Sequence, residues 1–230
     1  MSTTVTWHGH SNFQLDFEDT TIYIDPFFTA NSRADRHWEQ AARADLVLAT
    51  HMHGDHTGDA IALCRRDQAM FGAIVGMGEA LIELGLPQEL VLNGIGYNIG
   101  GTVDFKGIKI TMTEAFHSSE AGAPTGFILG FPDGVTVYHA GDTGIFSNMQ
   151  TWGSLYNIDL ALLPAGGVFT MDGRQAAQAA ALLNAKAACP MHWGTFPALA
   201  QDTDEFVREL KTRAPSCKAL LLSPGESHTF

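Results

Sequence analysis

The stretch "DLVLATHMHGDHTGD", Asp45–Asp59, joins an unbroken apolar run to a crowd of imidazoles and carboxylates. Leu46–Ala49 has no polar alternation, which predicts a short strand covered on both faces of its sheet. Directly after it, His51, His53, Asp55 and His56 fall within six positions, in a chain with only ten histidines. In extended backbone, residues i and i+2 point the same way, so His51 and His53 can face one metal ion. Asp55 and His56 follow one turn later and can reach a second ion beside the first. Gly54 and Gly58 are expected to let the backbone bend sharply there. Imidazole nitrogen and carboxylate oxygen together suit zinc, manganese or iron.

A metal needs more ligands than one loop provides. His117 follows the alternating stretch "IKITMTEA", Asp142 lies in "YHAGDTG", and His192 closes "CPMHWG". Each stands at the end of a predicted strand, and together they are expected to complete the site. Around them the pattern is mixed. "TVTWHGH", "NFQLDF" and "TIYID" alternate with period two, "EDT" turning between the last pair. Hairpins are expected around Lys106-Gly107 and around Pro132-Asp133-Gly134. Strands 45–50, 69–76, 159–165, 187–193 and 218–223 alternate with helices near 57–67, 78–85, 145–157, 172–185 and 202–214. "ADLVLATH" is echoed by "IDLALLPA", as if two sheet-plus-helix halves packed sheet to sheet. The expected fold class is α/β, a four-layer αββα sandwich, with residues 1–230 forming one domain and ligands gathered where strand ends meet.

Bulk composition narrows the function. Apolar residues make up 45 % and charged residues 17 %, which suits a large core and is compatible with a homo-oligomer interface. The formal charge of −12, with only 13 Lys and Arg, argues against a nucleic-acid partner, because phosphate binding demands clustered cations. The start "MSTTVTWHGH" has no basic or apolar leader, and no run nears the roughly 18 apolar residues of a membrane span. Cys64, Cys189 and Cys217 are odd in number and dispersed, and read as buried apolar residues in a cytoplasmic chain without disulfides.

The order His51, His53, Asp55, His56, His117, Asp142, His192 resembles that of the metallo-β-lactamase superfamily. "WHGHSNFQL", "IYIDPFF", "NIGGTVDFKGIKITMTEAFHSS", "VYHAGDTGIFSNM", "ALLPAGGVFTM" and "PMHWGTFPAL" extend the resemblance over nearly the whole chain, to a small metal-dependent hydrolase branch related to the ascorbate-6-phosphate lactonases. The resemblance implies the αββα metallo-hydrolase fold. It implies that His51, His53 and His117 hold one metal, that Asp55, His56 and His192 hold the other, and that Asp142 bridges them. Asp25 would support the metal loop from behind, and His10 would belong to the pocket as a catalytic residue with Asp55 and Asp142. The loop before "FTM" departs from the family: relatives often carry an acid there, and Gly166 or Gly167 stands in its place. Class B β-lactamases generally have Cys at the position of Asp142, redox di-iron relatives replace the second His by an acid, and the Asp142–His192 segment is too short for a nuclease clamp domain.

The activity implied is hydrolysis of a small-molecule ester, lactone or phosphodiester by hydroxide generated at two divalent ions, zinc first with manganese or iron also fitting. The rival is a non-catalytic metal-binding or partner-binding module. Of the remaining polar and aromatic candidates, His139 is expected to be structural and His37 and His228 exposed. Trp193, Phe196 and Phe169 are candidates for the pocket wall.

Overall fold

Two sheets stack face to face in a computed structural model that describes residues 2–230. The first sheet holds β1 (Thr4–Trp7), β2 (Phe13–Phe17), β3 (Thr20–Ile24), β4 (Leu46–Leu48), β5 (Met70–Gly72) and the C-terminal β13 (Ser227–Thr229), in the order β13-β1-β2-β3-β4-β5. The second holds β6 (Thr102–Phe105), β7 (Ile108–Glu114), β8 (Thr125–Gly130), β9 (Thr136–His139), β10 (Leu160–Pro164), β11 (Ala187–Met191) and β12 (Lys218–Ala219), in the order β12-β11-β10-β9-β8-β7-β6.

Side-chain alternation divides the core into two. Phe127, Leu129, Leu160 and Leu162 point inward and pack with Trp7, Phe13, Leu15 and Ile22 of the facing sheet. Their neighbours Ile128, Ala161 and Leu163 point outward, into a second core beneath the helices. There α5 (Gly173–Leu182) lies on β10 and β11, flanked by α4 (Met149–Leu155) and α6 (Asp204–Arg213). Its buried face is nearly all alanine, and Gly173 lies so close to Phe206 that an added Cβ would sit 2.6 Å from that residue's nitrogen. On the other outer face α2 (Ala60–Asp67) packs on β4. The layers are therefore helix, sheet, sheet, helix.

The expected hairpins form. Lys106 and Gly107 take φ of +52° and +87° between β6 and β7, the primed geometry that matches strand twist. Asp133 fixes the β8–β9 turn by accepting from the Val135 N–H, and it ties the turn to the first sheet by accepting from Thr3. The halves echo each other in topology as well as sequence: β4 lies parallel between β3 and β5, and β10 lies parallel between β9 and β11.

Several expectations change. The metal motif is only half extended, since Gly54–Thr57 forms the one-turn helix α1. Gly58 does make the bend, with φ +28° and the Pro26 carbonyl where a Cβ would stand, but Gly54 simply begins α1 with open space around it. The strand expected over 69–76 is cut to Met70–Gly72, where α3 (Met77–Glu83) soon follows, and 218–223 shrinks to Lys218–Ala219. The chain end instead crosses to the first sheet as β13, pairing antiparallel with β1. His228 is for that reason half-buried rather than exposed, packed edge-on to Phe230; His37 is exposed. All three cysteines are buried and free. Among the described residues no helix is long and apolar enough to cross a membrane.

Candidate metal centre

Within the first sheet β1, β3 and β4 run the same way, within the second β7, β9, β10 and β11 do, and the side chains that follow them meet at one edge of the sandwich. Every candidate ligand emerges there. Asp25 follows β3, His51 to His56 follow β4, His117 follows β7, Asp142 follows β9 and His192 follows β11.

The donor atoms fall into overlapping groups, each within 4.8 Å. One contains His51, His53 and His117; another contains Asp55, His56 and His192, together with His10; a third joins His51, His56 and Asp142. Asp142 is the link between the two trios. Its Oδ2 stands 3.0 Å from His192 Nε2, 3.3 Å from His56 Nε2 and 3.6 Å from His117 Nε2. Yet Asp142 Oδ1 and His56 Nε2 are buried without a hydrogen-bond partner. His51 Nε2 and His53 Nδ1 face each other at 2.9 Å. Buried polar atoms are ordinarily satisfied. Buried unpartnered atoms within an all-nitrogen and oxygen set, with no thiolate, fit a divalent metal such as zinc, manganese or iron.

Electrostatics point the same way. Burial raises the cost of charge on Asp142, but His56 and His192 outweigh it and hold the carboxyl well below its usual range. Burial likewise disfavours an imidazolium at His56, but Asp142 and Asp25 overcome that and keep the ring's pKa well above its ordinary value. A proton on His56 is thus the positive charge these buried carboxylates demand, and a cation can take its place. His51 is pushed down to about 2 by burial and by the neighbouring His56, and burial also lowers His117. Both are neutral imidazoles, the form that ligates.

Behind the ligands lies a hydrogen-bond relay. Asp25 is wholly buried, its backbone at φ +50°. Its Oδ1 accepts from the Thr50 N–H at 2.8 Å, and its Oδ2 accepts from the Thr50 hydroxyl and from His56 Nδ1–H, each at 2.7 Å. The Thr50 oxygen in turn accepts from His51 Nδ1–H at 3.0 Å. One carboxylate therefore turns the Nε2 lone pairs of both His51 and His56 toward the centre. Asp59 does the corresponding work for the backbone: it accepts from the Phe28 and Thr29 N–H groups and the Thr29 hydroxyl, pinning the loop after Asp25 to the metal motif.

His10 is buried with φ +54°. Its Nε2 is 3.2 Å from Asp55 Oδ2 and its Nδ1 is 3.0 Å from Thr195 Oγ1, so it stands behind Asp55. Burial lowers its pKa to about 4 against the pull of Asp55. A cavity of about 350 Å³ opens over the centre, lined by His53, Asp55, His117, Asp142 and His192, with Ser118, Phe169 and Phe196. Trp193 is not in its wall: the ring lies between Trp7, 5.6 Å away, and the Arg33 guanidinium, 4.5 Å away. His139 is structural, donating to the Ser11 carbonyl and accepting from the Gly141 N–H. Gly166 presses against the His192 carbonyl and ring, so no side chain fits there. Thr50, Thr195 and Ser118 were not singled out by sequence; only their places beside His51, within "HWGT" and after His117 hinted at them.

The sequence profile of the beta-lactamase superfamily domain matches residues 20–193. A UPF0173 metal-dependent hydrolase of Nitratidesulfovibrio vulgaris (strain DP4) is 58 % identical over 230 residues, covering 100 % of this chain and 96 % of the relative. A metal-dependent hydrolase of Methanopyrus kandleri is 40 % identical over 233 residues, covering 97 % and 98 %. In three dimensions the chain is similar to Igni18, a metallo hydrolase from the archaeon Ignicoccus hospitalis. The TM-score is 0.90 at 39 % identity, over 100 % of this chain and 99 % of the other.

Proposed function

We propose, from the premise that this chain belongs to the beta-lactamase superfamily and is a metal-dependent hydrolase, that its 230 residues act as one domain that cleaves an ester, lactone or phosphodiester bond of a small molecule at a two-metal site. The observation that carries the reading is Asp142: a buried carboxylate with one unpartnered oxygen, between two trios of ligand atoms, on the floor of an open cavity. His51, His53 and His117 would hold one ion, Asp55, His56 and His192 the other, and Asp142 both. Such a pair polarises the scissile bond and lowers the pKa of water towards about 7.

The residues of the chain supply the rest. Asp25 and Thr50 fix the tautomers of His51 and His56. Asp55 lines the cavity as a carboxylate whose pKa is depressed, despite burial, by the His10 hydrogen bond. It is placed to accept a hydrogen bond from the attacking water and so to orient it. His10 is a positioning residue: it holds Asp55 Oδ2 and is itself held by Thr195. The rival of a non-catalytic metal module predicts a closed site; the cavity over the ligands favours catalysis. A panel of lactones, esters, thioesters, phosphodiesters and amides tests the reading. Turnover of at least one class, lost on chelation and in His51→Ala, is expected; no turnover of any class by metal-saturated protein would overturn it.

A further inference from the structure

We propose that the substrate carries an uncharged apolar group beside the scissile bond, seated between Phe169 and Phe196, and that the site discriminates against an anionic group there. The proposal rests on the hydrolytic reading above and names the chemistry of its substrate.

No Lys or Arg lines the cavity. The Arg33 guanidinium lies over the Trp193 ring, 4.5 Å from its centroid, and neither residue lines the cavity. The charge at the rim is acidic: the Glu120 carboxylate stands 3.9 Å from His53 Nε2, 66 % exposed. With the ions occupied by the reacting group, a phosphate or carboxylate elsewhere on the substrate would find Ser118 and two phenyl rings. Burying a charge against them without a cation is unfavourable, and the −12 chain repels it on approach.

The apolar side is built rather than incidental. Phe169, which lines the cavity, is 58 % exposed, and its chain neighbour Val168 is 75 % exposed. Val168 is β-branched yet held at φ +59°, a left-handed conformation that crowds its Cβ against the backbone. Hydrogen bonds from Gly167 N–H to Met171 O and from Met171 N–H to Thr143 O hold that turn in place. A strained, braced turn that presents a phenyl ring to solvent beside a reaction centre is the sort of outlier that marks function. Phe196, the other phenyl of the cavity wall, lies on the Trp193–Ala200 loop, closed by Gly194 N–H to Ala200 O, with its ring edge-on to His10 at 5.5 Å.

Hexanoate and adipate (the same carboxylate head for the ions, with a second carboxylate at the far end) are the probes, titrated into zinc-loaded protein and followed by NMR at the Phe169 and Phe196 amides. Hexanoate should bind at least about tenfold more tightly than adipate, Phe169→Ala and Phe196→Ala should each weaken it, and Phe169→Lys should invert the preference. Equal or tighter binding of adipate to the wild-type chain, or hexanoate shifts away from both loops, would overturn the proposal. So would a dimer that buries Phe169 and excludes hexanoate. Methyl hexanoate and monomethyl adipate give the same comparison in turnover. The hexanoate preference without turnover of any panel member would sink the hydrolytic reading and leave the apolar subsite standing; turnover with adipate favoured in binding would do the reverse.

Discussion

Asp25→Asn perturbs the relay without changing its shape. The three groups that donate to Asp25 are the Thr50 N–H, the Thr50 hydroxyl and His56 Nδ1–H, at 2.7–2.8 Å, and carboxylate and ring are both fully buried. The Asn carbonyl can keep the backbone N–H, but its amide is a donor aimed at two donors. The Thr50 hydroxyl can rotate, and must then donate to His51 Nδ1; His56 must move its proton to Nε2. Both rings would then present N–H rather than a lone pair to the centre. The metal-free protein loses charge-assisted hydrogen bonds worth about 3 kcal/mol in all. Each ion should bind roughly 10–100-fold more weakly, the usual effect of disturbing a group behind a ligand. Thr50→Val is the control, because it breaks the path to His51 and leaves Asp25 on His56; only the His51 ion should weaken. Zinc competition against a chelator reads both affinities, and urea unfolding of the metal-free protein reads the stability. Wild-type affinity for both ions in Asp25→Asn, or identical behaviour of the two variants, would refute the relay.

Other perturbations reach other parts of the account. Asp142→Asn should retain the ion held by His51, His53 and His117, lose the second, and cut hydrolysis by at least ~10²-fold; full activity with two ions would make Asp142 a turn residue only. Gly166→Ala should displace His192, since the new Cβ meets that residue's carbonyl, so activity should drop with the fold's circular dichroism unchanged; unchanged turnover would show that the contact is dispensable. Burial raises the Asp35 pKa, but hydrogen bonds from His8 and Arg36 outweigh it and hold the carboxyl at about 2. The unfolded chain, near its ordinary 3.9, binds more protons in between, so this stabilisation is complete above about pH 4 and fades as pH falls through 2. The urea-midpoint difference between wild type and Asp35→Asn should shrink over that window, and a difference that is flat or grows would contradict the assignment.

What was legible in the sequence was what local pattern encodes. Leu46–Ala49 reads as a buried strand because no polar residue interrupts it, and the ligand order after it reads as metal binding because His-x-His-x-Asp-His has few other uses. The two hairpins carry their own turn residues. What was not legible depends on distant parts of the chain. β13 has two exposed residues flanking a half-buried one and pairs with β1 from the other end of the sequence, Thr229 hydroxyl to Thr4 hydroxyl at 2.9 Å. α1 is too short to show a helical period. His10, Asp25 and His192 take left-handed backbone without being glycine, imposed by contacts such as His192 N–H to His10 O at 3.1 Å. Trp193 follows His192 directly, yet its indole N–H donates to the Pro190 carbonyl and faces the ring away from the cavity.

The central claim is that two ions held by seven side chains make one hydrolytic centre. Its most direct test is to titrate metal-free protein with zinc while following bound metal and hydrolysis of the best panel substrate together. Saturation is expected at two ions per chain, with activity rising mainly on the second. Saturation at one ion, or full activity at the first equivalent, would contradict it.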